Sequence, residues 1–102
     1  ISDSNVLLES EKIKLQKIGE ILKEYSNDLL ITGHCAERGS VKAREALSVE
    51  RAVSVAEYLK HLGIRDEYHI FTEGKGSRQP IASNATEAGR AKNRRVEITL
   101  MD

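Results

Sequence analysis

The sequence has one cysteine, one proline, one phenylalanine and no tryptophan. A lone Cys35 excludes an intrachain disulfide and leaves the redox compartment open. With aromatics at 4% of the chain, there is almost no surface on which bases or sugars could stack. No charge excess exists either, because 16 basic residues are balanced by 16 acidic ones. A neutral chain generates no field that would draw it to nucleic acid or to an anionic bilayer. No apolar run reaches the length of a membrane span, and no signal-peptide pattern is present. The chain opens at Ile1 rather than a methionine, which suggests a processed product or a module of a longer protein. At 102 residues the expectation is one domain with a modest core.

What remains is a chain of alternating helical and extended patterns. Residues 1–9 hold Ser2, Asp3, Ser4 and Asn5 and read as a loop. From Glu11 to Tyr25, Leu15, Ile18, Leu22 and Tyr25 recur at helical spacing, with Ser10 placed to cap the helix. Leu29-Leu30-Ile31-Thr32 is apolar on both alternating faces, as in a central strand covered on both sides, and Gly33 ends it. Residues 41–47 predict a helical turn or two. Ser48 then caps a main helix whose buried stripe is Ala52, Val55, Ala56, Leu59 and Leu62, stopped by Gly63.

Residues 68–72 read as a second strand ended by Gly74 and Gly76, and residues 77–84, containing Pro80, as a surface loop. Thr86 opens a short helix to Lys92. Val96, Ile98 and Leu100 alternate with Arg95, Glu97 and Thr99, as in a strand with one buried face. This order predicts an α/β two-layer sandwich.

Chemistry concentrates at the junction between the first strand and the main helix, where an α/β sheet leaves backbone groups free for a ligand. Arg51 is the side chain best placed to use it, expected in the first turn of a helix opening at Ser48. Its plainer alternative is a solvated neighbour of Glu50, which contributes little. Cys35 beside His34 invites a nucleophile–base pair. Adjacent strand residues point to opposite faces, however, so the imidazole is misplaced for that role. Cys35, His34, His61 and His69 lack metal-ligand spacing. Gly74-Lys75-Gly76-Ser77 lacks P-loop spacing and reads as a turn. Arg90, Lys92, Arg94 and Arg95 cluster in sequence, but the neutral chain and missing aromatics argue against nucleic acid.

The motifs resemble the OmpA-like domain family. Gly33-His34, Gly39-Ser40, Leu47-Ser48, Arg51-Ala52, Tyr58-Leu59 and Gly63-Ile64 match the family pattern at its spacing. So do Gly74-Lys75-Gly76, Pro80, Asn84, Gly89-Arg90-Ala91 and the run from Asn93 to Ile98. The resemblance spans roughly residues 2–100. It implies a mixed sheet with helices packed on it, opening with a strand that is apparently truncated here at Ile1. It also implies a non-catalytic periplasmic module of the cell envelope, one domain of a longer parent chain.

The implied ligand is the peptidoglycan stem peptide, whose diamino acid is a zwitterion at its side-chain end, gripped by an arginine and an aspartate. The ligand-facing positions fall on Gly33, His34, Cys35, Ala36, Glu37, Arg44, Arg51 and Arg94. Arg51 takes the place of the family's arginine, and Arg94 of its second arginine. Ala36 stands where the family has its aspartate, Cys35 where it has threonine and Arg44 where it has asparagine. The resemblance therefore implies weakened or lost grip on the diamino acid, with Glu37 and Asp3 as candidate substitute acids. The alternative is a structural or protein-interaction module with no wall ligand. No cofactor is expected.

Overall fold

The computed structural model describes Leu7, residues 9–37 and residues 39–102. Residues 1–6 and 8 of the expected loop at 1–9, the truncated first strand, Asp3 and Arg38 lie outside the described residues, and Glu9 of that loop already belongs to the first helix. The element order is α1 (Glu9–Leu22), β1 (Leu29–Gly33), α2 (Val41–His61), β2 (Ile70–Gly74), α3 (Glu87–Asn93) and β3 (Val96–Leu100). The strands form a mixed sheet in the order β2-β1-β3, with β1 parallel to β2 and antiparallel to β3. β1 is thus central, as its apolar sequence requires.

α2 is the element the core is built on. Leu29 and Ile31 of β1, fully buried, meet Ala52, Val55, Ala56 and Leu59 of α2, with Leu15, Leu22, Ile64 and Ile70 closing the cluster. Burying a leucine or isoleucine stabilises by about 1.5–3 kcal/mol, so these few residues dominate the fold's stability. Among the described residues the other face of the sheet is only partly covered, short of the expected strand buried on both sides, although Thr32 is buried there. Leu30 is only half-buried, and Phe71, Glu97 and Thr99 on the same face are exposed.

Four boundaries differ from the sequence expectation. α2 is one continuous helix from Val41, not a short turn followed by a helix capped at Ser48. Ser40 is the N-cap, in extended conformation, its hydroxyl accepting from the Ala43 N–H at 3.1 Å. Ser48 sits inside the helix because its Oγ donates back to the Glu45 carbonyl at 2.8 Å.

α1 starts at Glu9, so Ser10 lies within the helix rather than capping it. It ends at Leu22 rather than near Tyr25 because the Arg65 guanidinium, from beyond α2, donates to the carbonyls of Leu22, Tyr25 and Asn27. Tyr25 and Ile18 are accordingly exposed. β2 begins at Ile70, not Tyr68, because the N–H groups of Tyr68 and His69 are taken by the side chain and the carbonyl of Asp66. Gly63 follows α2 at φ +76°, in the left-handed conformation foreseen for the stop.

Candidate functional site

Two glycines set the site by letting α2 press on the strand ends. A Cβ on Gly33 would lie 1.9 Å from the Ser48 carbonyl oxygen, and one on Gly74 would lie 2.4 Å from Ser48 Oγ. Ser48 Oγ also accepts from the Gly76 N–H at 2.9 Å, tying the turn after β2 to the helix. Lys75 N–H donates to the Gly33 carbonyl and Cys35 N–H to the Gly76 carbonyl, so the loops after β1 and β2 run joined.

One helical turn past Ser48, Arg51 comes under the β1–α2 loop. It is 0% exposed, and its Nη1 donates to the His34 carbonyl at 3.0 Å. This is a mid-helix position in α2, not the first turn expected from a helix opening at Ser48. A guanidinium stays protonated even when buried, so this loop end is a fixed cationic centre.

The loop itself is closed down on that centre. His34, Cys35 and Ala36 are 1%, 4% and 3% exposed, whereas Glu37, Gly39 and Ser40 face solvent. Cys35 Sγ donates to the Arg44 carbonyl at 3.3 Å. The His34 ring turns to the other face of the sheet, Nε2 lying 2.5 Å from Glu97 Oε1. Thiol and imidazole therefore have separate partners, as strand alternation requires.

Arg44 bridges the two loops, its Nε donating to the Gly39 carbonyl at 3.2 Å and its Nη1 to Ser77 Oγ at 2.8 Å. The Glu37 N–H donates to Asn84 Oδ1 at 3.2 Å, and Asn84 Nδ2 lies 3.5 Å from Glu37 Oε2. Arg94, the C-cap of α3, is 10% exposed and bridges to Glu87 at 2.6 Å. It also lines a groove of about 240 Å³ with Leu15, Ile18, Val55 and Val96.

Sequence reasoning missed the residues that frame this loop. Asn93, 1% exposed, accepts at Oδ1 from the Ile81 and Ala82 N–H groups and donates through Nδ2 to Ala82 O and Asn84 Oδ1. Ser77 and Glu97 hold Arg44 and His34 in the same way. The signal that could have found them was the family run from Asn93 to Ile98, which holds both Asn93 and Glu97. Among the described residues no three His, Cys, Asp or Glu side chains gather to hold a metal.

Burial depresses the His34 pKa, with the positive charge of Arg95 adding to it and Glu97 opposing. Elsewhere, the hydrogen bond from His69 lowers the Asp66 pKa and that same bond raises the pKa of His69.

The family model for the OmpA family matches residues 2–94. The chain belongs to the OmpA family. It is 41% identical over 100 residues to the peptidoglycan-binding protein ArfA of Mycobacterium tuberculosis, covering 97% of this chain and 30% of ArfA. The chain thus spans less than half the length of the curated relatives it matches.

Among solved structures, it resembles the peptidoglycan-associated lipoprotein of Burkholderia pseudomallei (TM-score 0.88, 28% identity), covering 99% of this chain and 86% of that one. It also resembles the cell wall anchor of the T6SS from Pseudomonas aeruginosa (TM-score 0.84, 33% identity), covering 98% of this chain and 72% of that one. No helix among the described residues is long and apolar enough to cross a membrane.

Proposed function

We propose that this OmpA-family chain is a non-catalytic, periplasmic module of a longer envelope protein. Its grip on the zwitterionic diamino acid of the peptidoglycan stem is weakened or lost. The observation that carries this reading is Ala36, a buried methyl at the position expected to hold the acid. The next acid along the loop, Glu37, is exposed and turned toward Asn84. Losing one charge-assisted partner costs about 1.5–3 kcal/mol, roughly ten- to a hundred-fold in affinity. Arg44 adds a second cation where a neutral amide is expected, and Arg51 keeps the capacity to hold a carboxylate.

A second reading, a structural or protein-interaction module without wall ligand, is favoured by the complete burial of Arg51. A pull-down on purified peptidoglycan separates the two, using the native chain, Ala36→Asp, and Ala36→Asp combined with Arg44→Asn. The expected result is weak native binding that rises at least tenfold in the double variant. Native binding as strong as that of the double variant refutes the weakened site. Failure of all three, with intact folds, supports the module without a ligand.

A further inference from the structure

His34 joins the site to the opposite face of the sheet. Its backbone carbonyl receives Arg51 Nη1 on the helix side, and its ring meets Glu97 on the other. The His34 N–H donates to the Arg95 carbonyl at 2.9 Å, so the residue is held on both its backbone and its side chain. Because Nε2 faces a carboxylate oxygen, it carries the proton in the neutral ring, leaving Nδ1 as a bare acceptor. Nδ1 is buried, and no hydrogen-bond partner among the described residues reaches it.

Adding a proton there creates a buried donor with nothing to receive it. An unsatisfied buried donor, here with charge, is far more costly than the bare lone pair it replaces.

We propose that the neutral His34–Glu97 pair is the positioning device of Arg51. The ring, pinned by Glu97, fixes the His34 carbonyl on which the guanidinium docks, and a second proton on the ring releases that carbonyl and loosens the Arg51 seat. His34 is thus a positioning residue, and the inference rests on the reading of Arg51 as the anion anchor.

The charged groups around the ring set the balance. From β3, Glu97 favours the protonated ring and Arg95, which also lies 3.6 Å from Glu97, opposes it. From the turn after β2, Lys75 opposes it as well. Lys75 is itself 3.8 Å from Glu73, which accepts from Thr32 Oγ1 on the same face. From α2, Arg51 meets His34 at its backbone carbonyl rather than at its ring. Desolvation, with Arg95 and Lys75, outweighs Glu97, in agreement with a ring kept neutral in the folded protein.

The test needs no ligand, so its failure and that of the wall-binding reading are separable. NMR follows the His34 ring through a pH titration and, on the same samples, the protection against exchange of the Arg51 guanidinium Nη–H protons, the group docked on the His34 carbonyl. The expected result is a His34 midpoint below the ordinary imidazole range, with Arg51 protection falling at least tenfold through that same midpoint. Glu97→Gln, at an exposed carboxylate, moves both transitions together to lower pH. His34→Gln, which keeps the backbone carbonyl but cannot titrate, leaves Arg51 protection flat across the range.

Arg51 protection that stays constant while His34 titrates overturns the proposal. So does a transition that persists in His34→Gln. A parallel peptidoglycan pull-down of Ala36→Asp across the same pH range bears only on the ligand.

Discussion

Replacing Asn93 by alanine tests how far a buried amide in α3 governs the site loop. The side chain uses its whole capacity, accepting from Ile81 N–H at 2.8 Å and Ala82 N–H at 3.0 Å. It donates to Ala82 O at 3.0 Å and to Asn84 Oδ1 at 2.9 Å. Alanine removes all four. Ile81 is exposed, so its N–H can return to water, whereas the other three groups lie nearer the buried side. At roughly 1 kcal/mol for each bond not recovered, the variant should lose about 2–4 kcal/mol.

For a domain near 100 residues that is a fall of about 10–25 °C in Tm. Urea denaturation followed by circular dichroism measures it directly, with the loss appearing in the midpoint at an unchanged slope. Asn93→Asp sharpens the test, because it keeps the two acceptors and sets a carboxylate against Ala82 O and Asn84 Oδ1. It should be at least as damaging at neutral pH and partly relieved in acid, where the protonated carboxyl can donate again. A loss below about 1 kcal/mol in Asn93→Ala refutes the reasoning, since water must then replace the amide without cost.

Other predictions follow from single contacts. Gly33→Ala sets a methyl 1.9 Å from the Ser48 carbonyl, backbone against backbone, and should prevent folding or cost more than about 4 kcal/mol, read as loss of the urea transition. Arg65→Met removes the donor serving the carbonyls of Leu22, Tyr25 and Asn27. It should raise amide exchange at the end of α1 and cost about 1.5–3 kcal/mol, and unchanged exchange there counts against the cap. Stability should also fall with pH through His34. Its folded pKa is depressed by burial, so the unfolded chain binds that proton first. The contribution is complete above the ordinary imidazole value and is lost as pH falls through the folded one. His69, raised by Asp66, has the opposite sign, so the native-minus-His34→Gln difference in urea midpoint isolates the effect. A flat difference refutes it.

Much of the fold was legible because the core is periodic. Ala52, Val55, Ala56 and Leu59 announce the buried face of α2, and Val96 and Ile98 the inner face of β3, though Leu100, expected on that face, is exposed. The failures fall where a hydroxyl or guanidinium makes a bond that sequence does not display. Ser48 looks like a cap, yet its bond back to Glu45 lets the helix run through it, while Ser40 does the capping. The end of α1 is set by Arg65, which lies 43 residues from Leu22 in the chain. Gly74 looked like a strand terminator. It is instead the last strand residue, since only a glycine fits against Ser48 there.

The correction at Ser48 changes the electrostatic reading of the site more than it changes the fold. A helix opening at Ser48 would set its positive N-terminus beside Arg51, two like charges at one point. With α2 opening at Ser40, the free N–H groups lie about two to three turns away, against Gly39, and Ser40 Oγ already occupies one of them. Arg51 instead enters from the helix flank onto the His34 carbonyl just past the end of β1. The loop thus carries positive potential from two separate sources, the helix terminus with Arg44 and the buried Arg51. Against these, Glu37 is the loop's one described carboxylate, and it is turned toward Asn84. On the function proposed above, that distribution suits a carboxylate and leaves an ammonium without a counter-charge, which makes Ala36, a neutral residue, the position at which Ala36→Asp tests recognition of a zwitterion.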